Sequence, residues 1–175
     1  MIDLEFTLDG GEMARASDTL RAHLKGAITG SHILGGNTPG NDVPVFLCPY
    51  APEDEVPMQG LIRRLASELS AEGIPVLEVD LYRTAMEILS AHPKWAKVLE
   101  RERRDDTGRF IAMLQSLLDE REILVPTIAR RVAETPHKVV FLTGIATAFP
   151  MIRAESVLSH LQSVLKNAPT IVFFP

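Results

Sequence analysis

From residue 43 onward, short apolar segments alternate with longer amphipathic ones. Four of the apolar segments are rich in β-branched and aromatic residues and have the length of buried strands. They span residues 43–50, 74–81, 138–145 and 170–175. Apolar strands that alternate with helices predict an α/β fold, a three-layer sandwich with a mainly parallel sheet of about four strands. In such a fold, ligands bind beyond the carboxyl ends of the strands.

The helix after the first strand has signals at both ends. Pro52 suits a first helical turn, and the acidic run 53–55 lies where the helix dipole favours negative charge. Gly73 is a natural C-terminal stop. The apolar stripe between these signals has helical spacing and predicts the buried face of the helix. Its members are Leu61, Ile62, Leu65, Ala66 and Leu69.

Three further helical regions are predicted. Residues 82–104 form a helical pattern with a break at His92-Pro93, because the residue before a proline avoids α geometry. A long helical pattern begins at Asp106, a suitable N-cap, and Pro126 is expected to kink or divide it. The last helix is predicted over 150–166.

The chain has 175 residues, enough for one domain with a substantial core. We expect a single α/β domain over 1–175, with its α/β core over 43–175. The part before the core, 1–42, predicts a helix over 12–28 and a loop rich in glycine and proline over 29–42.

Composition narrows the class of protein. The formal net charge of -5 argues against a generally basic nucleic-acid binder. The single cysteine, Cys48, excludes an internal disulfide framework and a cysteine-based metal cage, and it fits a reducing compartment. The N-terminus lacks the pattern of a signal peptide, and no apolar run is long enough to span a bilayer. We therefore expect a soluble cytoplasmic protein that does not contact a membrane.

The usual signatures of catalysis are absent from the sequence. The architecture is P-loop-NTPase-like or Rossmann-like, but the glycine-rich stretch 35–42 precedes a strand and has no following lysine, so it predicts a loop without a phosphate site. The turn after the third strand lacks a nucleophile elbow, and the histidines lack the spacing of metal ligands. Cys48 lies in an apolar strand and is expected to act as a small buried hydrophobe. We predict no catalytic residue, metal or cofactor.

Glu78 and Asp80 lie two residues apart near the carboxyl end of a strand, so their side chains face the same side of the sheet. Two convergent carboxylates would suit Mg²⁺. In the interpretation that we favour, Asp80 caps the following helix and Glu78 meets a local basic partner.

Arg153 lies in the first turn of the last predicted helix, where a cation opposes the helix dipole. We expect it to pair with an acidic residue at a neighbouring strand end, such as Asp80 or Glu53. Contact with a partner protein or a phosphate stays open as the alternative.

Two basic clusters lie at 101–104 and 130–131. Asp105 and Asp106 follow the first cluster at once, which favours a solvated helix face over a DNA footprint. Direct contact with DNA stays open.

Four segments of the sequence form a recognisable pattern when their order and spacing are considered together. They are YAPEDEV (50–56) after an apolar strand, EGIPVLEVDLY (72–82), FLTGIATAFPMIRAESVLSHLQ (141–162) with Gly144, Phe149, Pro150 and Arg153, and IVFFP (171–175). In order and spacing they resemble the BrxB family of BREX anti-phage systems, over roughly residues 43–175. In that family the last strand usually runs into a glycine and a tyrosine-containing segment, which the sequence does not show after Pro175, and the loop 29–42 has no match.

This resemblance implies a part in bacterial defence against phage. Other BREX proteins include a methyltransferase, a large ATPase and an alkaline-phosphatase-like protein of the PglZ class. The resemblance supplies no catalytic residues, so we expect a non-enzymatic adaptor that acts through protein–protein contacts, and self-association stays open. The alternative is a degenerate nucleotide-binding domain, or an enzyme with its site at the carboxyl ends of the strands. The expected interaction surface consists of Tyr50, Glu53, Asp54, Glu55, Asp80, Tyr82, Phe149 and Arg153.

Overall fold

Five parallel strands form one sheet in the order β1-β2-β5-β4-β3. The computed structural model describes residues 2–3, 13–30, 33–34, 45–104, 106–161, 164–165 and 168–175. The strands are Ile2–Asp3 (β1), Val45–Pro49 (β2), Val76–Asp80 (β3), Val139–Thr143 (β4) and Thr170–Phe174 (β5). The α/β class, the parallel sheet and the four predicted strands are confirmed, and the short β1 is a strand that the sequence pattern did not indicate.

The helices fill the intervals between the strands. They are Met13–Thr29 (α1), Glu55–Ala71 (α2), Leu81–Ala91 (α3), Trp95–Glu102 (α4), Thr107–Leu118 (α5), Val125–Glu134 (α6), Ile145–Ala148 (α7) and Ala154–Leu161 (α8). A short 3-10 turn, Pro52–Asp54, precedes α2, and a π-helical turn, Glu120–Leu124, joins α5 to α6. Among the described helices, none is both long and apolar enough to cross a membrane.

The order of the strands explains why helices cover both faces of the sheet. The chain passes from β2 over β5 and β4 to reach β3, and then returns through β4 to β5. Right-handed crossovers that run in opposite directions place their helices on opposite faces. Accordingly, α1 and α2 pack on one face and the helices from α3 to α8 pack on the other.

Each face has its own hydrophobic core. On the α1–α2 side, the rings of Phe141 and Phe173 pack edge to face with their centroids 5.2 Å apart. The predicted stripe of α2 faces this core, and Cys48 is buried in it as a small hydrophobe. Burial raises the pKa of the Cys48 thiol to about 12, so the thiol stays protonated at neutral pH. Every residue of β4 is buried, since both layers cover it.

Several local signals act as the sequence predicts. Gly73 ends α2 with a positive φ of 78°, and the helical region after β3 breaks between Ala91 and Trp95, around His92 and Pro93. The Asp106 carboxylate accepts a hydrogen bond from the backbone N–H of Arg109 and caps α5.

The predicted division of the long helix at Pro126 is wrong. The helix ends at Leu118, where the Asp119 carboxylate accepts hydrogen bonds from the backbone N–H groups of Arg121 and Glu122 at 3.1 and 3.0 Å. These bonds start a new helical segment. Pro126 lies in the first turn of α6, a position that tolerates proline.

The predicted start of the last helix at residue 150 is also wrong. After β4, the chain forms the short helix α7 and then a turn that contains a cis peptide bond between Phe149 and Pro150. The N–H of Ile152 donates to the carbonyl of Ala148 and closes this turn, so α8 begins only at Ala154. The predicted end at 166 and the loop stretch 35–42 lie outside the described residues.

Candidate functional site

The carboxyl ends of β2, β3 and β4 surround a small cleft on the α2 side of the sheet, which we call the strand-end cleft. It is lined by Tyr50, Glu55, Gln59, Ile62, Arg63, Glu78, Asp80, Arg83, Thr143 and Gly144. The cleft holds about 50 Å³. Small-molecule pockets usually enclose about 300–1,000 Å³, so the cleft is much smaller than a typical ligand pocket.

Tyr50 and Glu55 hold the β2 side of this cleft together. The Tyr50 hydroxyl donates to the Glu55 carboxylate, which also accepts a hydrogen bond of 3.1 Å from the Gln59 amide. The Tyr50 backbone N–H donates to the carbonyl of Phe174 at 3.0 Å and so extends the pairing of β2 with β5. Burial, and next the bond to Glu55, raise the pKa of the Tyr50 phenol, so it is a hydrogen-bond donor at neutral pH.

Asp80 and Gly144 form the β3–β4 side of the cleft. The prediction that Asp80 caps the following helix is confirmed, since its carboxylate accepts a 2.9 Å hydrogen bond from the backbone N–H of Arg83. Gly144 has a φ of 69°, and a Cβ atom there would lie 2.3 Å from the Asp80 carboxylate oxygen. Only a glycine fits this close approach of backbone to carboxylate.

The expectation that Glu78 meets a basic partner is wrong. Its carboxylate accepts a hydrogen bond of 3.3 Å from the Thr143 hydroxyl, and it forms no ion pair within the described residues. The position of Glu78 explains this difference. Its side chain faces the wall of the cleft formed by β4, where the Thr143 hydroxyl is a hydrogen-bond donor. In the part of the chain that the structure describes, no three histidine, cysteine or acidic side chains converge to hold a metal ion.

The other two acidic residues of the expected surface differ in exposure. Glu53 is exposed in the 3-10 turn, whereas Asp54 is buried at the start of α2. The Asp54 backbone N–H donates to the Ala51 carbonyl at 2.8 Å. Asp54 therefore contributes to the structure of the turn. Of Glu53 and Asp54, only Glu53 has a side chain that is exposed to a partner.

A set of exposed apolar side chains lies at the same edge of the sheet, and we call it the strand-end apolar surface. Its members are Val56 in the first turn of α2, Tyr82 in the first turn of α3, Phe149 after α7 and Phe174 at the end of β5. Their exposed fractions are 77%, 40%, 71% and 45%. Each member lies at or after the carboxyl end of a different strand, and the carboxyl ends of parallel strands lie on the same side of the sheet.

Sequence reasoning missed Val56 and Phe174. A usable signal was present for Val56, which lies two residues before Met58 and therefore about 200° around the helix from the buried stripe. Phe174 gave no such signal, because residues 171–174 are apolar at every position and do not indicate which end of the strand leaves the core.

Arg153 lies in a second, open concavity, which we call the Arg153 hollow. The hollow measures about 410 Å³ and is lined by Gln115, Asp119, Glu120, Arg121, Met151, Arg153, Ser156 and His160. The expectation that Arg153 pairs with Asp80 or Glu53 is wrong. Its guanidinium is exposed and makes no hydrogen bond or ion pair with another described residue, because it lies outside the first turn of α8 and away from the strand-end cleft.

The other charged groups of the hollow have partners within the protein. Asp119 caps the π-helical turn, and the Glu120 carboxylate accepts a hydrogen bond from the Ser156 hydroxyl. The Arg121 guanidinium donates to the Nε2 atom of His160 at 3.1 Å. The Arg153 guanidinium is thus the charged group of this hollow that is available to a partner.

The two basic clusters differ in whether their side chains are exposed or are paired within the protein. The side chains of residues 101–104 are exposed, as a solvated helix face requires, and Arg130 is exposed on α6. Arg131, however, forms an ion pair with Glu87 and donates a 3.1 Å hydrogen bond to the Thr84 hydroxyl. Arg131 therefore ties α6 to α3 instead of extending a basic surface.

Comparison with known proteins relates this chain to one family. The family model described as BREX protein BrxB matches residues 77–175. A BREX protein BrxB of Bacillus cereus (strain H3081.97) is 27% identical over 140 residues, which cover 78% of this chain and 72% of that protein. A BREX protein BrxB of Escherichia coli O9:H4 (strain HS) is 21% identical over 154 residues, which cover 88% of this chain and 76% of that protein. No solved structure matches the chain.

Proposed function

The chain belongs to the BrxB family of BREX phage-defence proteins, and we propose that it serves this defence as a non-enzymatic adaptor that binds other proteins of the system. Its binding surface would be the strand-end apolar surface together with Arg153. The PglZ-class protein, the large ATPase and the methyltransferase are the candidate partners.

The observation that carries this proposal is where the exposed apolar side chains lie. Single exposed apolar residues are normal on any protein. Among the described residues, however, six large apolar side chains are exposed, and four of them lie at or after the carboxyl ends of strands. Aromatic and arginine side chains are the commonest anchors of protein interfaces, and Tyr82, Phe149 and Arg153 are exposed at or near this edge.

The strand-end cleft supports the non-enzymatic part of the proposal. In many α/β enzymes the substrate occupies the space beyond the strand ends. Here the polar groups at that place serve the fold, since Tyr50 binds Glu55 and Asp80 caps α3. A volume of about 50 Å³ is also well below that of a typical ligand pocket.

Co-purification with the other BREX proteins tests the proposal. We expect at least one of them to associate with the wild-type chain. The variant Phe149→Ala should weaken this association by about 30-fold or more, as truncation of an interface anchor does. Leu99→Ala is the matched control, because Leu99 is exposed to 44% on α4 and does not follow a strand end.

The thermal unfolding midpoint of both variants should stay at the wild-type value. Absence of any associated BREX protein at moderate salt would refute the adaptor function. Calorimetry with ATP, GTP and Mg²⁺ tests the alternative, and binding tighter than about millimolar would favour a nucleotide-binding domain.

A further inference from the structure

Among the residues that the structure describes, the edge of the sheet at β3 is longer than the edge at β1. β1 forms one edge over two residues, whereas β3 forms the other over five. The described elements in closest contact with β3 are β4, α2 and α3, and no described strand lies beyond it. The outer edge of β3 therefore presents backbone N–H and C=O groups that no described strand pairs with, and such an edge is a template for an added strand.

The side chains of β3 define what kind of strand this edge would accept. Leu77 and Val79 point into the core formed with the helices from α3 to α8, whereas Glu78 is exposed on the α2 side. Beyond its 3.3 Å hydrogen bond from the Thr143 hydroxyl, the Glu78 carboxylate has no described partner. Glu78 is thus the charged side chain that a residue on an added strand would meet directly.

The cations near Glu78 are directed elsewhere. Arg83 lies 4.0 Å from the Asp80 carboxylate, and the Nε atom of Arg63 donates to the carbonyl of Gln59. The charge at the centre of the edge is therefore negative and not neutralised by a paired cation.

A second copy of this chain fits the edge poorly. When two β3 strands pair antiparallel over all five residues, residue 76 lies opposite 80 and the two Glu78 side chains lie directly opposite each other. Like charges in directly opposed positions of a sheet destabilise the pairing. Glu78 therefore disfavours self-pairing and favours a strand that carries a positive charge.

We propose that the outer edge of β3 accepts an extended segment of a partner protein as a sixth strand, with a lysine or arginine of that segment opposite Glu78. This inference rests on the proposed function, because it assumes that the chain acts through protein contacts. It concerns the backbone edge of β3, however, and not the exposed side chains on which the proposed function depends.

The test uses this chain alone, with two synthetic peptides of alternating valine and threonine that differ in one central residue, lysine or glutamate. Binding is followed through the NMR signals of the backbone amides of residues 76–80. We expect the lysine peptide to shift these signals and to bind roughly 2- to 5-fold tighter than the glutamate peptide, as opposite charges across a strand pair do.

The variant Glu78→Lys should invert this preference, and Glu78→Gln should abolish it. Glu100→Lys makes the same charge change on α4, at an exposed position outside the expected interaction surface, and should leave the preference unchanged. The thermal midpoints of the three variants show that each is folded.

Several results would overturn the inference. These are shifts that avoid β3, equal binding of both peptides to the wild type, no binding at all, or a preference that Glu78→Lys does not invert. Self-association of the wild-type chain through β3 would show that the occupant is a second copy instead. Because no BREX protein takes part, the peptide result is independent of the co-purification result, and either proposal can fail without the other.

Discussion

The strand-end cleft and the Arg153 hollow lie on the same molecule and contain similar residue types, yet they differ in how their polar groups are used. In the cleft, Tyr50 is bonded to Glu55, and the Asp80 carboxylate accepts a backbone N–H at the start of α3. In the hollow, the Arg153 guanidinium makes no bond to any described residue, and Phe149 four residues earlier is 71% exposed.

This difference separates residues that stabilise the fold from residues that are available to bind. A polar group that already has its hydrogen bonds gains little from a partner, because the new bond replaces an existing one. An exposed aromatic ring and an unpaired guanidinium both gain from burial and pairing in an interface. We therefore expect substitutions at Tyr50 and Gly144 in the cleft to change stability, and substitutions at Phe149 and Arg153 to change binding alone.

The largest effect on stability is expected for Gly144→Ala. An alanine in the left-handed region costs about 1–2 kcal/mol. The new Cβ would also lie 2.3 Å from the Asp80 carboxylate oxygen, and relief of this overlap costs about 1–3 kcal/mol more. We predict that the free energy of unfolding, measured with urea, falls by about 2–5 kcal/mol.

Gly60→Ala is the matched control. Gly60 lies inside α2, and a Cβ there would have no neighbour within 4 Å. This variant should be more stable than the wild type by about 0.5–1 kcal/mol, because alanine is the better helix former. A Gly144→Ala variant as stable as the wild type would contradict the close approach of the Gly144 backbone to the Asp80 carboxylate.

Tyr50→Phe is expected to have an intermediate effect. It removes the hydroxyl that donates to Glu55 and should lower the free energy of unfolding at neutral pH by about 1–2 kcal/mol. The pKa of Tyr50 is raised by folding, so its contribution is complete below pH 10 and is lost as the pH rises from there toward the raised pKa. The difference between the two proteins should therefore narrow above about pH 10.

Tyr82→Phe removes the same atom from an exposed tyrosine and serves as the control, with an expected change within about 0.5 kcal/mol. The raised pKa values of Cys48 and Lys25 also lower the free energy of unfolding at alkaline pH. This part of the loss should be the same in the wild type, Tyr50→Phe and Tyr82→Phe. A constant difference between wild type and Tyr50→Phe from neutral pH upward would contradict the assigned hydrogen bond.

The capping role of Asp80 in the cleft was predictable because its signals are local. The alternation of Leu77, Glu78 and Val79 identifies a strand with one exposed acidic residue, and Asp80 stands immediately before a helical pattern. Capping depends on residues three positions apart in sequence, so the pattern alone indicates it. The glycine at 144 was part of the family resemblance, but its contact with Asp80 appears only when β3 and β4 are neighbours.

The hollow was not predictable, because it depends on distances between elements that are far apart in sequence. The predicted partner of Arg153 was an acidic residue at a strand end, but the turn after α7 delays the start of α8 and leaves Arg153 before the helix. Likewise, either Asp119 or Pro126 could end the long helical pattern. The sequence does not show that Pro126 is compatible with a first helical turn. Strand order, which decides which side chains meet, has no local signal at all.

The smallest effect on stability is expected for Arg153→Ala. Because this guanidinium has no described partner, the free energy of unfolding should change by no more than about 0.5 kcal/mol. Arg131→Ala is the informative comparison, since the same change there removes the ion pair with Glu87 and the hydrogen bond to Thr84. It should cost about 0.5–1.5 kcal/mol.

The two arginine variants should show the opposite order in binding. Arg153→Ala should weaken association with a BREX partner, whereas Arg131→Ala should leave association unchanged once both proteins are compared well below their unfolding midpoints. If Arg153→Ala lost more stability than Arg131→Ala, its guanidinium would have to serve the fold. The hollow would then stabilise the fold as the cleft does. The distinction between a structural region and a binding region would fail, because it depends most on Arg153.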